Sequence, residues 1–108
     1  MNPKLQPLMD RASVALKAGL GGVVNVALGP DGQVLIGDET PPCISYNPPG
    51  FAVTANCTIT FPGGVAAVEK FEAANDFGRL AMLENGEVRT TGDQSLAMKL
   101  GGILAAAA

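Results

Sequence analysis

The chain has 108 residues, 47% of them apolar, with a formal net charge of −3 and a mean hydropathy of +0.26. It contains no histidine. That excludes Ser-His and Cys-His nucleophile activation, His-ligated zinc and the commonest general base. Its seven basic residues stand singly, at Lys4, Arg11, Lys17, Lys70, Arg79, Arg89 and Lys99, so no basic stripe offers a footprint to nucleic acid or to a strongly anionic membrane surface.

The first predicted element is a helix over about residues 3–18. Leu5, Leu8, Ala12, Ala15 and Leu16 recur at intervals of three and four, and Gly19, Gly21 and Gly22 stop it. The opening lacks the apolar core of a signal peptide, because Asp10 and Arg11 interrupt it, so a cytoplasmic location is expected. Residues 23–36 read as an antiparallel hairpin. Val24, Val26 and Leu28 alternate with Asn25 and Ala27, the run Gly29-Pro30-Asp31-Gly32 turns the chain, and Val34 and Ile36 resume the period of two. The "GLGG" run precedes a strand and follows a helix, the reverse of a nucleotide-binding loop, so it is read as a helix stop.

Pro41 and Pro42 bar helix, residues 43–47 form a short strand and residues 47–50 a turn. A long strand is predicted over residues 51–61. Phe51, Val53, Ala55, Cys57, Ile59 and Phe61 share one parity, and Thr54, Asn56, Thr58 and Thr60 share the other. Cys43 and Cys57 are expected as buried free thiols. After Pro62-Gly63-Gly64 come two helices. One is "VAAVEKFEAAN", with Val68, Phe71, Ala67 and Ala74 in one sector and Glu69 and Glu72 on a solvated face. The other is "DFGRLAMLEN", with Asp76 as its cap and Phe77, Leu80 and Ala81 together. "EVRTT" is a strand, and Asp93 caps a last helix. The other carboxylates at turns serve capping and solvation, and no acid pair has catalytic spacing.

This order, helix, strands, two helices, strand, helix, fits an antiparallel sheet with helices on one face, an α+β layer architecture in one domain over residues 1–108. No stretch reaches 18 consecutive apolar residues, so no membrane span is expected. Only five residues are aromatic, and the small aliphatic side chains either close-pack a core or line a space that something else fills. The last helix bears on that choice. Leu96, Leu100, Ile103 and Leu104 form one apolar stripe, Met98 projects nearly opposite it, and Gly101 and Gly102 thin the helix. Apolar residues on two sides of a terminal helix suit docking on the sheet or a lid over an apolar cavity.

Two motifs in this order resemble the sterol carrier protein (type 2) domain family. Thr58, Ile59 and Thr60 match a Thr-rich strand that ends at a helix pair. Asn85, Gly86, Val88, Gly92, Leu96, Ala97, Met98, Lys99 and Leu100 match the later strand, its turn and a closing Leu-Ala-Met-Lys-Leu helix. The resemblance is strongest over residues 55–104. It implies a mostly antiparallel sheet of about five strands with helices around an apolar tunnel. It also implies non-catalytic carriage or presentation of fatty acid, fatty acyl-CoA, sterol or isoprenoid-like lipid, without cofactor or metal. On that basis Phe61, Val65, Val68, Phe71, Phe77, Leu80 and Leu83 are expected to wall the cavity, and Leu96, Met98, Leu100, Ile103 and Leu104 to close it. Lys99 is read as plain surface. The alternative is a small module that uses the same apolar surface to form a homodimer or to dock a lipid-metabolising enzyme.

Overall fold

Val24 and Val26 point to one side of their strand, and that side became the core. The computed structural model describes residues 2–16, 21–39 and 42–107. Its elements are α1 (Leu5–Ala15), β1 (Val24–Ala27), β2 (Gln33–Ile36), β3 (Ile44–Asn47), β4 (Cys57–Thr60), α2 (Val65–Ala73), α3 (Asp76–Glu84), β5 (Arg89–Gly92) and α4 (Gln94–Ala107), with a 3-10 turn over Gly29–Asp31 between β1 and β2. The sheet order is β3-β2-β1-β4-β5. β1 pairs antiparallel with β2, β2 with β3 and β4 with β5, while β1 and β4 run parallel. Parallel neighbours need a crossover connection, and here the chain passes through β2, β3 and residues 48–56 before it returns beside β1.

The register aligns Ile36, Val24 and Cys57 across one row, and Val34, Val26 and Ile59 across the next. Because side chains alternate faces, these residues share one face of the sheet. All four helices cover that face: Leu5 and Ala12 from α1 with Leu16 just after it, Val65 from α2, Met82 from α3 and Leu96, Ala97 and Leu100 from α4 are all buried in one core cluster. On the other face the Thr58 and Thr60 side chains are half-buried. There Gln33 donates to the carbonyls of Pro48 (3.2 Å) and Phe51 (2.8 Å) and accepts from the buried Asn25 amide (2.8 Å).

The sequence places several boundaries differently. The strand predicted over residues 51–61 is only four residues long, because β1 and β5 each offer four residues for it to pair with. Phe51 is consequently exposed, while Cys57, Ile59 and Phe61 keep the expected buried parity. The β5 strand starts at Arg89, two residues later than the pattern suggests, because the backbone N–H groups of Glu87 and Val88 bond the Met82 carbonyl instead (2.9 and 3.4 Å). The first helix ends at Ala15, with the Leu16 N–H closing on the Ala12 carbonyl; residues 17–20 lie outside the described residues. Pro7 sits in the first turn, where its missing N–H would have no helical partner. Asn75, not Asp76, caps α3: its side chain accepts from the Gly78 N–H at 2.8 Å. Asp76 occupies the first turn, where its charge suits the helix dipole.

Two tertiary ties fix the helices to the sheet. The Asp31 carboxylate, in the β1–β2 connection, accepts from the Val65 N–H at 2.8 Å and from Asn2 at 3.1 Å. It therefore caps α2 from a distant part of the chain, where Gly64 offers no capping side chain. A Cβ on Gly64, which has φ +75°, would collide with that carboxylate. The second tie is at Asn56. Its side chain accepts from the Val23 N–H (2.8 Å), and its carbonyl accepts from the Asp93 N–H (2.9 Å). Gly92 has φ +84°, and a Cβ there would strike the Asn56 carbonyl. Asp93 then opens α4 by accepting from the Ser95 N–H (3.0 Å) and hydroxyl (2.5 Å), as the sequence pattern predicts.

The hydrogen bonds from Val65 and Asn2 hold the Asp31 carboxyl below its ordinary value of 3.8. A carboxyl lowered in the folded state adds stability that is fully present above its ordinary value and is lost as pH falls through the folded one. Asp31→Ala is therefore expected to lower the thermal midpoint by several degrees at pH 7. The gap from the wild type should narrow progressively below pH 3.8, as read by thermal unfolding across a pH series. The two cysteines are free, Cys57 buried and Cys43 exposed. Cys43 departs from the expected burial because it precedes the edge strand β3, which has a neighbour on one side only. Burial, with the Asp93 carboxylate nearby, pushes the Cys57 thiol up, and a protonated thiol is a poor nucleophile. A thiol reagent should titrate Cys43 rapidly in the native protein and Cys57 only after denaturant is added.

Candidate ligand-binding site

The helices do not fill the face they cover. Between them and the sheet lies a hollow of about 500 Å³, within the 300–1,000 Å³ typical of small-molecule sites. Its floor is Val26 of β1, Ile59 and Phe61 at the end of β4, and Val88 and Thr90 near β5. One wall is Val68, Phe71 and Glu72 of α2 with Asp76, Arg79 and Leu83 of α3. The opposite wall is α4, which presents Gln94, Ala97, Met98, Leu100, Gly101 and Gly102. Of these, Gln94, Ala97, Met98 and Gly101 follow the helical spacing of three and four, so they share one side of the helix, with Leu100 and Gly102 at its two margins.

That side adjoins the buried one. Leu96 and Leu100 are 7% and 1% exposed, whereas Met98 is 78% exposed at the rim of the hollow. The α4 helix is thus anchored along one stripe and borders open space along the next. Among the residues expected from the sequence, Phe61, Val68, Phe71, Leu83, Met98 and Leu100 line the hollow. Val65 and Leu96 lie in solid core instead. Phe77 and Leu80 point outward, 84% and 53% exposed. The reason is the rotation of α3: Met82 is its buried residue, and Phe77 and Leu80 lie on the far side of the helix from Met82. The side chains of Ile103 and Leu104 lie outside what the structure describes.

The polar groups at the hollow are largely engaged. Arg79 donates to the carbonyls of Phe71 (2.9 Å) and Glu72 (3.1 Å), and its guanidinium carbon stands 5.3 Å from the Phe71 ring centre. It satisfies carbonyls at the C-terminal end of α2 with a positive charge, the sign that helix end favours. Phe71 also meets Phe61 edge to face at 5.8 Å, so Arg79 steadies the aromatic corner of the hollow. Glu72 is not on a solvated face as its spacing suggests. It is turned in, 14% exposed, and pairs with Arg11 of α1 at 3.0 Å. On the α4 side the Thr90 hydroxyl donates to the Gln94 side-chain oxygen, and the Gln94 amide faces the Thr90 and Gly92 carbonyls at 3.3 and 3.4 Å. Among the described residues no group of three His, Cys, Asp or Glu side chains is placed to hold a metal ion, and no helix is long and apolar enough to cross a membrane. The arrangement can surround an apolar molecule.

Sequence reasoning missed several of these positions. Val26 and Ile59 carry the correct strand parity, but only the β1–β4 pairing sets them side by side. The place of Arg79 has no signal in the sequence, because its acceptors are backbone carbonyls, which no sequence pattern displays.

Solved structures share this α+β fold. The chain is similar to sterol carrier protein 2 like 2 from Aedes aegypti, with a TM-score of 0.65 and 15% identity over 91% of this chain and 94% of that one. It is also similar to a structure described as "UbiJ-SCP2 Ubiquinone synthesis protein", with a TM-score of 0.60 and 19% identity over 94% and 77% of the two chains. A third similar structure is sterol carrier protein domain 2 of Helicoverpa armigera, with a TM-score of 0.53 and 19% identity over 96% and 79%. No family profile matches the chain, and no curated protein matches it by sequence. The fold is sterol-carrier-protein-like.

Replacing Arg79 with Met should loosen the α2–α3 corner and cost about 1.5–3 kcal/mol, the range for hydrogen bonds to charged groups. Urea unfolding of the variant would measure that loss.

Proposed function

We propose that the protein binds an apolar lipid in the hollow between α2, α3 and α4 and shields it from water, without catalysing a reaction. The observation that carries this reading is the hollow itself, about 500 Å³ and walled mostly by Val, Ile, Leu, Phe and Met side chains. Burying a lipid chain yields about 0.8 kcal/mol per CH₂, so about twelve methylenes supply on the order of 10 kcal/mol before the cost of ordering is subtracted. Affinity in the micromolar range follows without any dedicated polar contact. Selectivity among fatty acids, acyl-CoA, sterols and isoprenoid-like lipids should be broad, and Met98 adapts to shape because its thioether is flexible. In this reading α4 closes the hollow along its Gln94, Ala97, Met98 and Gly101 side. The sterol-carrier fold of the solved neighbours supports the same ligand class, and one neighbour is described as a ubiquinone synthesis protein.

A second reading has support from Phe77 and Leu80, which expose an apolar stripe on α3 outside the hollow. There the protein uses its apolar surface to pair with a second copy or with a lipid-metabolising enzyme. Native mass spectrometry separates the two: a monomer with co-purifying lipid supports the carrier, and a stable lipid-free dimer supports the module.

Titration of delipidated protein with a fluorescent fatty acid should give a saturable signal. Leu83→Asp and Met98→Asp place a charge on the two walls at exposed positions that the fold tolerates. Each should weaken binding by about tenfold or more, since an unpaired charge beside an apolar ligand is costly. Absence of saturable binding in the wild type would overturn the carrier reading.

A further inference from the structure

Glycine is required where the backbone takes a conformation that other residues avoid, or where a neighbour leaves no room for a Cβ. Every other described glycine meets one of these conditions. Gly21, Gly29, Gly32, Gly50, Gly64, Gly86 and Gly92 have positive φ. The rest would bring a Cβ closer to a neighbour than ordinary contact, as at Gly22, where it would meet Leu96. Gly101 and Gly102 meet neither: their φ is not positive, and among the described residues nothing lies within 4 Å of a Cβ added to them. Both lie inside α4, where adjacent glycines oppose helix formation. Local structure gives no reason for them.

Their position does. Both border the hollow, and Gly101 shares the inward side of α4 with Gln94, Ala97 and Met98 at intervals of three and four. The facing wall carries the bulky side chains of Phe71 and Leu83, so the width between the walls depends on what α4 contributes. Gln94, the polar residue among those of α4 that line the hollow, is already engaged with Thr90, so discrimination along this side of α4 is by shape and not by hydrogen bonding.

We propose that Gly101, with Gly102 beside it, sets the bore of the hollow: the absent side chains leave room for the wide part of a ring-bearing or branched lipid, and any larger residue at 101 restricts the site to straight chains. This rests on the lipid-binding reading above and adds a determinant of selectivity to it.

The test uses the full chain, delipidated, as wild type, Gly101→Ala and Gly101→Leu. Each is titrated with a fluorescent straight-chain fatty acid and with a fluorescent sterol, and thermal unfolding is recorded alongside. The wild type should bind both probes. Gly101→Leu should lose at least about tenfold in sterol affinity while fatty-acid affinity stays within about threefold, in line with the worth of a few carbons in an apolar pocket. Gly101→Ala should fall between them. Neither thermal midpoint should drop, because Ala and Leu are better helix formers than Gly and meet open space. A lowered midpoint, an equal loss of both probes or no change in either would overturn the proposal. A wild type that binds the fatty acid but not the sterol would overturn it while leaving the carrier reading intact. A wild type that binds neither would overturn both.

Discussion

The arrangement depends on how α4 is held. Leu96, Ala97 and Leu100 are buried along one stripe of that helix, packed towards α1 and β4. Burying a Leu side chain is worth about 1.5–3 kcal/mol, so two of them with Ala97 suffice to pin the helix. The stripe occupies only part of the circumference. The adjoining side, from Gln94 through Met98 to Gly101, is left facing the hollow. Had the buried stripe been wider, α4 would have lain flat on the sheet and the space beneath α2 and α3 would have closed.

The polar ties work with this anchor. Asp31 reaches from the β1–β2 connection to the start of α2, and Asn56 joins the start of β1 to the start of α4 through its side chain and its carbonyl. Arg79 fastens α3 to the end of α2. Each tie acts at an element end, where backbone N–H or C=O groups lack helical partners. They hold in place the walls of a hollow lined mostly by apolar side chains. The ion pair of Arg11 with Glu72 at the edge of the hollow adds little by comparison, because half-exposed pairs contribute about 0–1 kcal/mol.

Much of the fold was legible in the residues. The alternation of Val24, Val26, Cys57, Ile59 and Phe61 named the buried face, and the Gly-Pro-Asp-Gly run named the first turn. Asp93 and Gly92 located the start of the last helix. The failures share a cause. Phe51, Val53 and Ala55 carry the period of a strand, yet a strand extends only as far as its neighbours do. Phe77 and Leu80 have the spacing of a buried stripe, yet α3 is rotated to bury Met82. Asp31 reads as a turn residue, and its role as the cap of a helix 34 residues away depends on where the chain returns.

The sequence by itself determined the α+β class, the order of the elements, the apolar face of the sheet and the absence of histidine chemistry, because these follow from local periodicity, turn residues and composition. The tertiary structure alone decided the parallel pairing of β1 with β4, the orientation of α3, the inward turn of Glu72 and the hollow beside Gly101. Those depend on which surfaces meet and which do not, and a gap between packed elements leaves no periodic mark on the chain that encloses it.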